Sequence, residues 1–177
     1  ALPFSREIYI DAGDYEENPP KGYKRLEPGS EVRLRGSYVI RADEAIKDAE
    51  GNVVELRCSY DPLTLGKNPE GRKVKGVIHW VPAAESVECE VRLYDRLFRS
   101  ASPEKSEEEG SSFLDNINPQ SLVVLKGCRA EPSLAQAQPE ERFQFEREGY
   151  FCADMKDSKP GAPVFNRTVT LRDSWGQ

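Results

Sequence analysis

A chain of 177 residues buries one substantial core or two small ones. Charged residues make up 32% and hydrophobic residues 37%, and no apolar run approaches the ~20 residues that a membrane helix needs, so the composition reads as a polar-surfaced soluble protein. The formal net charge is -6, yet Lys21 to Arg41 holds six basic residues against two acidic ones, a local +4 in a chain whose other residues together carry -10.

In chain order, the opening "ALPFSREIYID" has no basic region followed by an apolar one, so no signal peptide is legible. It starts without Met and enters a strand-like run almost at once, which reads as a piece of a longer polypeptide. "REIYID" alternates with period two, as does "EVRLRGSYVI", where Val32 and Leu34 point one way while Glu31, Arg33 and Arg35 point the other. "DEAIKDAEGN" fits a helical turn or a hairpin loop equally well. Further strands are expected over 52–60, 73–81, 87–98, 122–131, 143–154 and 164–173. Turn signals separate them at Pro28-Gly29, Glu50-Gly51-Asn52, Pro69-Glu70-Gly71 and Pro160-Gly161. Many short strands without a long amphipathic helix predict an all-β protein, a barrel or a sandwich.

The segment "RSASPEKSEEEGSSFLDNINPQS" breaks this rhythm. Its acidic, Ser-rich first half is expected to be a mobile surface loop, and "SSFLDNI" one short helix. The break suggests two barrels, one from residues 20–100 and one from 1–19 with 101–177.

Little in the sequence points to catalysis. Phosphate-cradling glycine motifs and G-x-S-x-G are absent. The four cysteines, Cys58, Cys89, Cys128 and Cys152, are spaced 31, 39 and 24 apart and form no zinc pattern; reduced thiols in packed strands are expected. The single histidine, His79 in "GVIHWV", reads as a packed strand residue, and the sequon Asn166-Arg167-Thr168 as accidental. Binding is better supported. Arginines on alternate strand positions present planar donors able to grip base edges or phosphates, and Lys24, Arg25, Tyr23 and Tyr38 lie close by in sequence. An ordinary wet face of a half-exposed sheet explains the same pattern. In "FQFEREGYF", regular pairing would put Phe143, Phe145, Arg147 and Gly149 on one face, and Gln144, Glu146, Glu148 and Tyr150 on the other. Gln144 carries donor and acceptor together and is able to read a base edge; composition alone makes it an exposed strand glutamine.

The runs "GRKVKGVIHWV", "EVRLYDRLF", "FLDNINPQSLVV", "AEPSL", "FQFEREGYF" and "PVFNRTVTLRDSW" follow one another in this order. Together they resemble the C-terminal anticodon-binding region of bacterial glutaminyl-tRNA synthetases, over nearly the whole chain. The resemblance implies two small β-barrels, of a kind also seen in a ribosomal protein that binds 5S RNA, which splay out the three anticodon bases and read each in a pocket. It implies that Arg25 holds the third base, a guanine, with Lys24 beside it. Arg33 meets the first base, with Arg35 following on the same strand. Gln144 reads the middle uracil, and Glu146 and Arg147 support the pockets. Gly36 stands where the family pattern leads one to expect a polar residue such as Asn. The family's H-I-G-H-like and M-S-K-like ATP signatures are absent, so the chain alone is expected to be inactive, with ATP used only by the full-length enzyme. The implied partner is the anticodon loop of glutamine tRNA, with no membrane and no DNA, and the implied setting is a cytoplasmic monomer. The barrel region of an archaeal or eukaryotic type of glutamyl-tRNA synthetase and a protein-interaction barrel are the alternatives.

Overall fold

The computed structural model describes residues 2–104 and 112–171. Contacts divide the chain into two units, Ala1–Ala84 and Glu85–Gln177.

The first unit contains β1 (Ile8–Tyr9), β2 (Glu31–Leu34), β3 (Val39–Lys47), β4 (Val53–Asp61), β5 (Val77–Ile78) and β6 (Val81–Pro82). A four-stranded sheet runs β4-β3-β2-β5, and β1 pairs with β6 in a separate ribbon. The β2–β3 and β3–β4 pairs are antiparallel, whereas β2 and β5 are parallel. Period-two patterning is realised as expected in β2: Val32 and Leu34 are fully buried and Arg33 is half-buried. They join Leu26, Ile40, Ala42, Ile78 and Trp80 in one apolar cluster. The stretch left open between helix and hairpin resolves as a hairpin. β3 runs on to Lys47, and the Asp48 carboxylate then accepts from the backbone N–H of Glu50 and Asn52 and from the Asn52 side chain. These donors, the Asn52 amide foremost, hold the Asp48 carboxyl below its ordinary pKa.

The second unit contains β7 (Val87–Tyr94), β8 (Leu122–Ala130), β9 (Arg142–Phe145), β10 (Gly149–Ala153) and β11 (Val164–Val169). They form one sheet in the order β8-β7-β11-β10-β9, with only the β11–β7 pair parallel. Val87, Cys89, Val91, Phe151, Ala153 and Phe165 make its core. The expected short helix is one turn of 3-10 helix, Phe113–Asn116. It is set by a capping box in which Ser112 and Asp115 each accept from the other's end of the turn.

The all-β expectation holds. Among the described residues no ladder joins the end strands β4 and β5, or β8 and β9, into a closed ring. The run 73–81, read as one strand, is two dipeptide strands instead. The chain changes partner there, with β5 against β2 and β6 against β1, and His79 at the crossing is half-buried. The division at Ala84 also differs from the expected partition into 20–100 and 1–19 with 101–177. β1 hydrogen-bonds to β6 within the first unit, and β7 is the partner of β8 and β11 within the second. Within the acidic loop, residues 105–111 lie outside the described residues, as do the last two residues of the strand expected over 164–173.

All four cysteines are free. Cys89 is buried on β7, and burial pushes its thiol up to about 12, so it stays protonated and unreactive. Cys58 is exposed on β4, which differs from the packed position expected. The sequon residue Asn166 is engaged at both ends of its amide: Tyr94 Oη donates to Oδ1 at 2.8 Å, and Nδ2 donates to Asp154 at 2.7 Å.

Candidate nucleic-acid interface

The basic stretch resolves into residues with different neighbours. Arg25 lies in the segment entering the first sheet. Its Nε sits 3.1 Å from Oδ1 of Asp14, and its Nη1 donates to the Gly13 carbonyl at 2.9 Å. Arg33 on β2 donates through Nη1 to the carbonyls of Ser37 at 2.9 Å and Thr64 at 2.8 Å, and through Nη2 to that of Lys67. Its guanidinium therefore clamps the 3-10 turn Pro62–Thr64 and the following loop onto the end of β2. Thr64 is fully buried, and its hydroxyl accepts from the Val39 N–H at 2.9 Å. Arg35 is exposed in the turn after β2, where its N–H donates to Ile78 and its carbonyl accepts from the Trp80 indole at 3.1 Å. Arg41 answers to Asp43 at 2.7 Å. Lys24 is exposed, and its ammonium has no partner among the described residues.

Gly76 ties these segments together. Its carbonyl accepts from the Arg33 N–H at 2.9 Å. A Cβ built there would stand 2.0 Å from the Lys24 carbonyl oxygen and 2.7 Å from a Val32 methyl. Only glycine permits that approach, so the backbone carrying Lys24 and Arg25 rests directly on the strand pair carrying Arg33.

Near the same turn, Tyr38 forms an aromatic group with Phe4 at 4.9 Å and Tyr60 at 5.2 Å between ring centroids. Trp80 closes it from beneath at 5.8 Å from Phe4. Tyr60 remains 53% exposed, a flat apolar surface of the sort on which bases stack. A hollow of about 180 Å³ beside Tyr60 is lined by Glu31, Val39, Arg41, Ser59 and Asp61. Arg72 bonds both Glu31 and Asp61 at its rim, which holds the Asp61 carboxyl below its ordinary pKa. Its charges are paired internally, and it is not a phosphate site.

The second unit carries the remaining predicted residues on one hairpin. Gln144 on β9 is exposed and stands directly across from Tyr150 on β10, itself 47% exposed. Directly opposed residues share a face, so the amide and the phenol ring lie together in solvent. The inner face is aromatic: Phe145 stacks on Phe151 at 4.3 Å, and Phe143 and Phe145 both meet Phe165 edge-on. Those rings fix the register, since a slip of one residue would bury Gln144 and expose them. The expected alternation fails at Glu146, Arg147 and Glu148. β9 ends at Phe145, and these three form the hairpin turn, with Arg147 at φ +69. Arg147 thus sits at the tip in a left-handed conformation unusual for a residue with a Cβ. Gly149, at φ +144, closes the turn, and a Cβ built there would stand 2.5 Å from the Val169 carbonyl oxygen.

Lys24, Arg25, Arg33 and Arg35 therefore gather on the first unit, and Gln144, Glu146 and Arg147 on the second. Sequence reasoning missed Asp14 and Tyr60 as members of these surroundings, whereas it placed Tyr150 on the Gln144 face. Their direct pairing needs the turn at 146–148, which the reading of 143–154 as one strand did not include. Asp14 is one acid among four between Asp11 and Glu17, and nothing local separates it.

The described residues hold no cluster of His, Cys, Asp and Glu able to bind a metal, and no helix among them is long and apolar enough to cross a membrane. Residues 1–61 and 77–154 each match a family described as tRNA synthetases class I (E and Q), anti-codon binding domain. The chain is 89% identical over 176 residues to the glutamine–tRNA ligase of Stutzerimonas stutzeri, covering 99% of this chain and 32% of that protein. It is 88% identical to the same ligase of Ectopseudomonas mendocina with equal coverage, and 85% identical to that of Azotobacter vinelandii over 99% of this chain and 32% of the ligase. The chain thus spans about a third of the length of the curated relatives it matches. A basic, arginine-bearing sheet, a glutamine-bearing hairpin and two matches covering most of the chain agree: it belongs to the anticodon-binding domain family of the class I tRNA synthetases (E and Q).

Proposed function

We propose that this chain is the tRNA-reading part of a glutamine–tRNA ligase and that it selects glutamine tRNA by its anticodon loop. Arg25, with Lys24 beside it, meets the third anticodon base, and Arg33, with Arg35 following it, meets the first. Gln144, with Glu146 and Arg147, meets the middle one. Attachment of glutamine, with ATP as co-substrate, is assigned to the part of the ligase outside this chain, and the protein works in the cytoplasm as a monomer. The observation that carries this reading is Gln144. Its amide stands exposed beside Tyr150 on a strand whose register three phenylalanines fix. An amide so placed can donate to a uracil carbonyl and accept from the ring N–H, while Tyr150 offers a face for stacking.

The test is charging efficiency by the full-length ligase for tRNA with uracil or cytosine at the middle position. Gln144→Ala and Gln144→Glu are each expected to lower the uracil-over-cytosine ratio about ten- to a hundredfold, the span of a good bidentate base contact. Gln144→Glu is expected to fall further, because it loses both amide donors and brings a charge to RNA. An unchanged ratio in both variants would make Gln144 a scaffold residue and overturn the reading.

A further inference from the structure

Asp14 is the only charged residue that is fully buried among the described residues. A carboxylate in that position is costly unless a cation and hydrogen bonds answer it. The cation is Arg25, whose Nε lies 3.1 Å from Oδ1. The backbone holds the two residues side by side. Asp14 ends the 3-10 turn Ala12–Asp14, with its N–H donating to Asp11 at 2.9 Å. Its carbonyl accepts from the Leu26 N–H at 3.0 Å, and the Glu16 N–H donates to the Leu26 carbonyl at 3.0 Å. The Gly13 carbonyl takes Arg25 Nη1 at 2.9 Å and the Tyr23 hydroxyl at 3.1 Å. Two of the three guanidinium nitrogens are thus gripped from the protein side, while the Arg25 side chain stays 42% exposed. A guanidinium carries five N–H donors in one plane. With Nε and one N–H of Nη1 engaged inward, Nη2 and the second N–H of Nη1 remain for an acceptor pair outside.

We propose that Asp14 is the positioning residue for Arg25: it sets the plane of the guanidinium before RNA arrives, so that the outward donors meet the paired acceptors of a guanine edge. This rests on the reading of Arg25 as the contact to the third anticodon base. A fork already fixed loses little rotamer freedom on binding, and a fork tilted out of plane loses its preference for guanine over adenine, which offers one acceptor and one donor along the same edge.

The experiment is aminoacylation by the full-length ligase of tRNAs with guanine or adenine at the third anticodon position, and with uracil or cytosine at the middle one as an internal control. Asp14→Asn, Arg25→Ala and the double variant are compared, each with its thermal melt. Asp14→Asn is expected to lower the guanine-over-adenine ratio about tenfold, within the span of a bidentate base contact, and to leave the uracil-over-cytosine ratio unchanged. Adding it to Arg25→Ala is expected to lower the guanine-over-adenine ratio no further. If Arg25→Ala lowers that ratio and a folded Asp14→Asn does not, or if Asp14→Asn lowers both ratios alike, Asp14 is scaffold and the inference is overturned. If Arg25→Ala itself leaves the ratio unchanged, the base-reading role of Arg25 falls, and the inference with it. A second measurement needs no variant. In the unmutated ligase the Arg25 Nε–H is expected to give a resolved, slowly exchanging NMR signal before RNA is added; exchange as fast as in free arginine overturns the proposal.

Discussion

The two units hold their candidate readers in opposite ways. In the first, Arg25 and Arg33 are fixed through their own guanidinium groups, by a buried carboxylate and by backbone carbonyls from three separate segments. In the second, Gln144 is placed by backbone pairing to Tyr150 and by the rings on the opposite face of its strand. A long, flexible side chain needs local anchors before it can present a defined edge, because its rotamer entropy is large. A short amide inherits its position from the strand. On the proposed reading the arginines are structural and recognition residues at once, whereas Gln144 is separable from the fold.

That contrast breaks or holds at four points, taken from the largest expected effect down. Gly76→Ala drives a Cβ into the Lys24 carbonyl at 2.0 Å and is expected to cost about 3 kcal/mol of first-unit stability in urea titrations. In the full-length ligase it lowers third-base discrimination while middle-base discrimination stays intact. Gly149→Ala, whose Cβ would lie 2.5 Å from the Val169 carbonyl, should show the reverse pattern; loss of both ratios in either variant would remove the contrast. Next, Arg25→Ala leaves the Asp14 carboxylate without its cation and is expected to destabilise by about 2–3 kcal/mol. The double variant with Asp14→Asn recovers at least half of that, as read from denaturation midpoints. Gln144→Ala, by contrast, stays within about 0.5 kcal/mol of the parent chain.

The third point is acid. Asp154 is held down to about 2 by the Asn166 amide first, then by the N–H groups of Asp157 and Lys156, with Arg92 adding to them. A folded pKa below the unfolded value gives stability that is complete above roughly pH 4 and is lost as pH falls towards 2. The Asp154 side chain is 17% exposed, so solvent screens part of the effect and about 1–2 kcal/mol is expected. Melting temperatures of the whole chain from pH 5 to 2 should fall in the parent and fall less in Asp154→Asn, the remainder including Asp95, whose carboxyl the Arg96 N–H foremost holds below its ordinary pKa. A parallel fall in both would place the acid sensitivity elsewhere. Smallest in stability is Lys24→Ala, which has no partner to lose among the described residues. It is expected to weaken binding to all anticodon variants alike and to reduce the salt slope by about one; a change confined to one base would make Lys24 a reader.

The strands of both cores were legible because Val32, Leu34, Val87, Cys89 and Val91 keep strict alternation and burial follows it. Partner choice was not. Period two says that 73–81 is extended, but not that β5 and β6 serve different sheets. It says that β7 is a strand, but not that its partner β11 lies some 70 residues on. At the site, the residue types were legible through the resemblance, and their restraints were not. Arg33 looks the same in sequence whether its guanidinium faces solvent or clamps Thr64. The pairing of Arg25 with Asp14 depends on a parallel bridge, Tyr15 to Leu26, that no pattern announces.

The parallel β11–β7 pair also sets an order of assembly. In the first unit the β3–β4 hairpin joins residues adjacent in sequence, and such local contacts form early and cheaply in chain entropy. In the second unit the β7–β8 hairpin is equally able to form first. Its inner face of Val87, Cys89 and Val91 has only partial cover, though, from Leu134, Ala135 and Ala137, until Phe165 arrives with β11 and completes the sheet with β9 and β10. During synthesis, which proceeds from the N-terminus, the first unit closes while the second waits with an apolar sheet face partly open to water, the interval in which a nascent chain aggregates or recruits a chaperone. Slowing translation just before Val164 lengthens that interval, and its cost falls on yield of folded protein, not on the stability of the molecules that complete it.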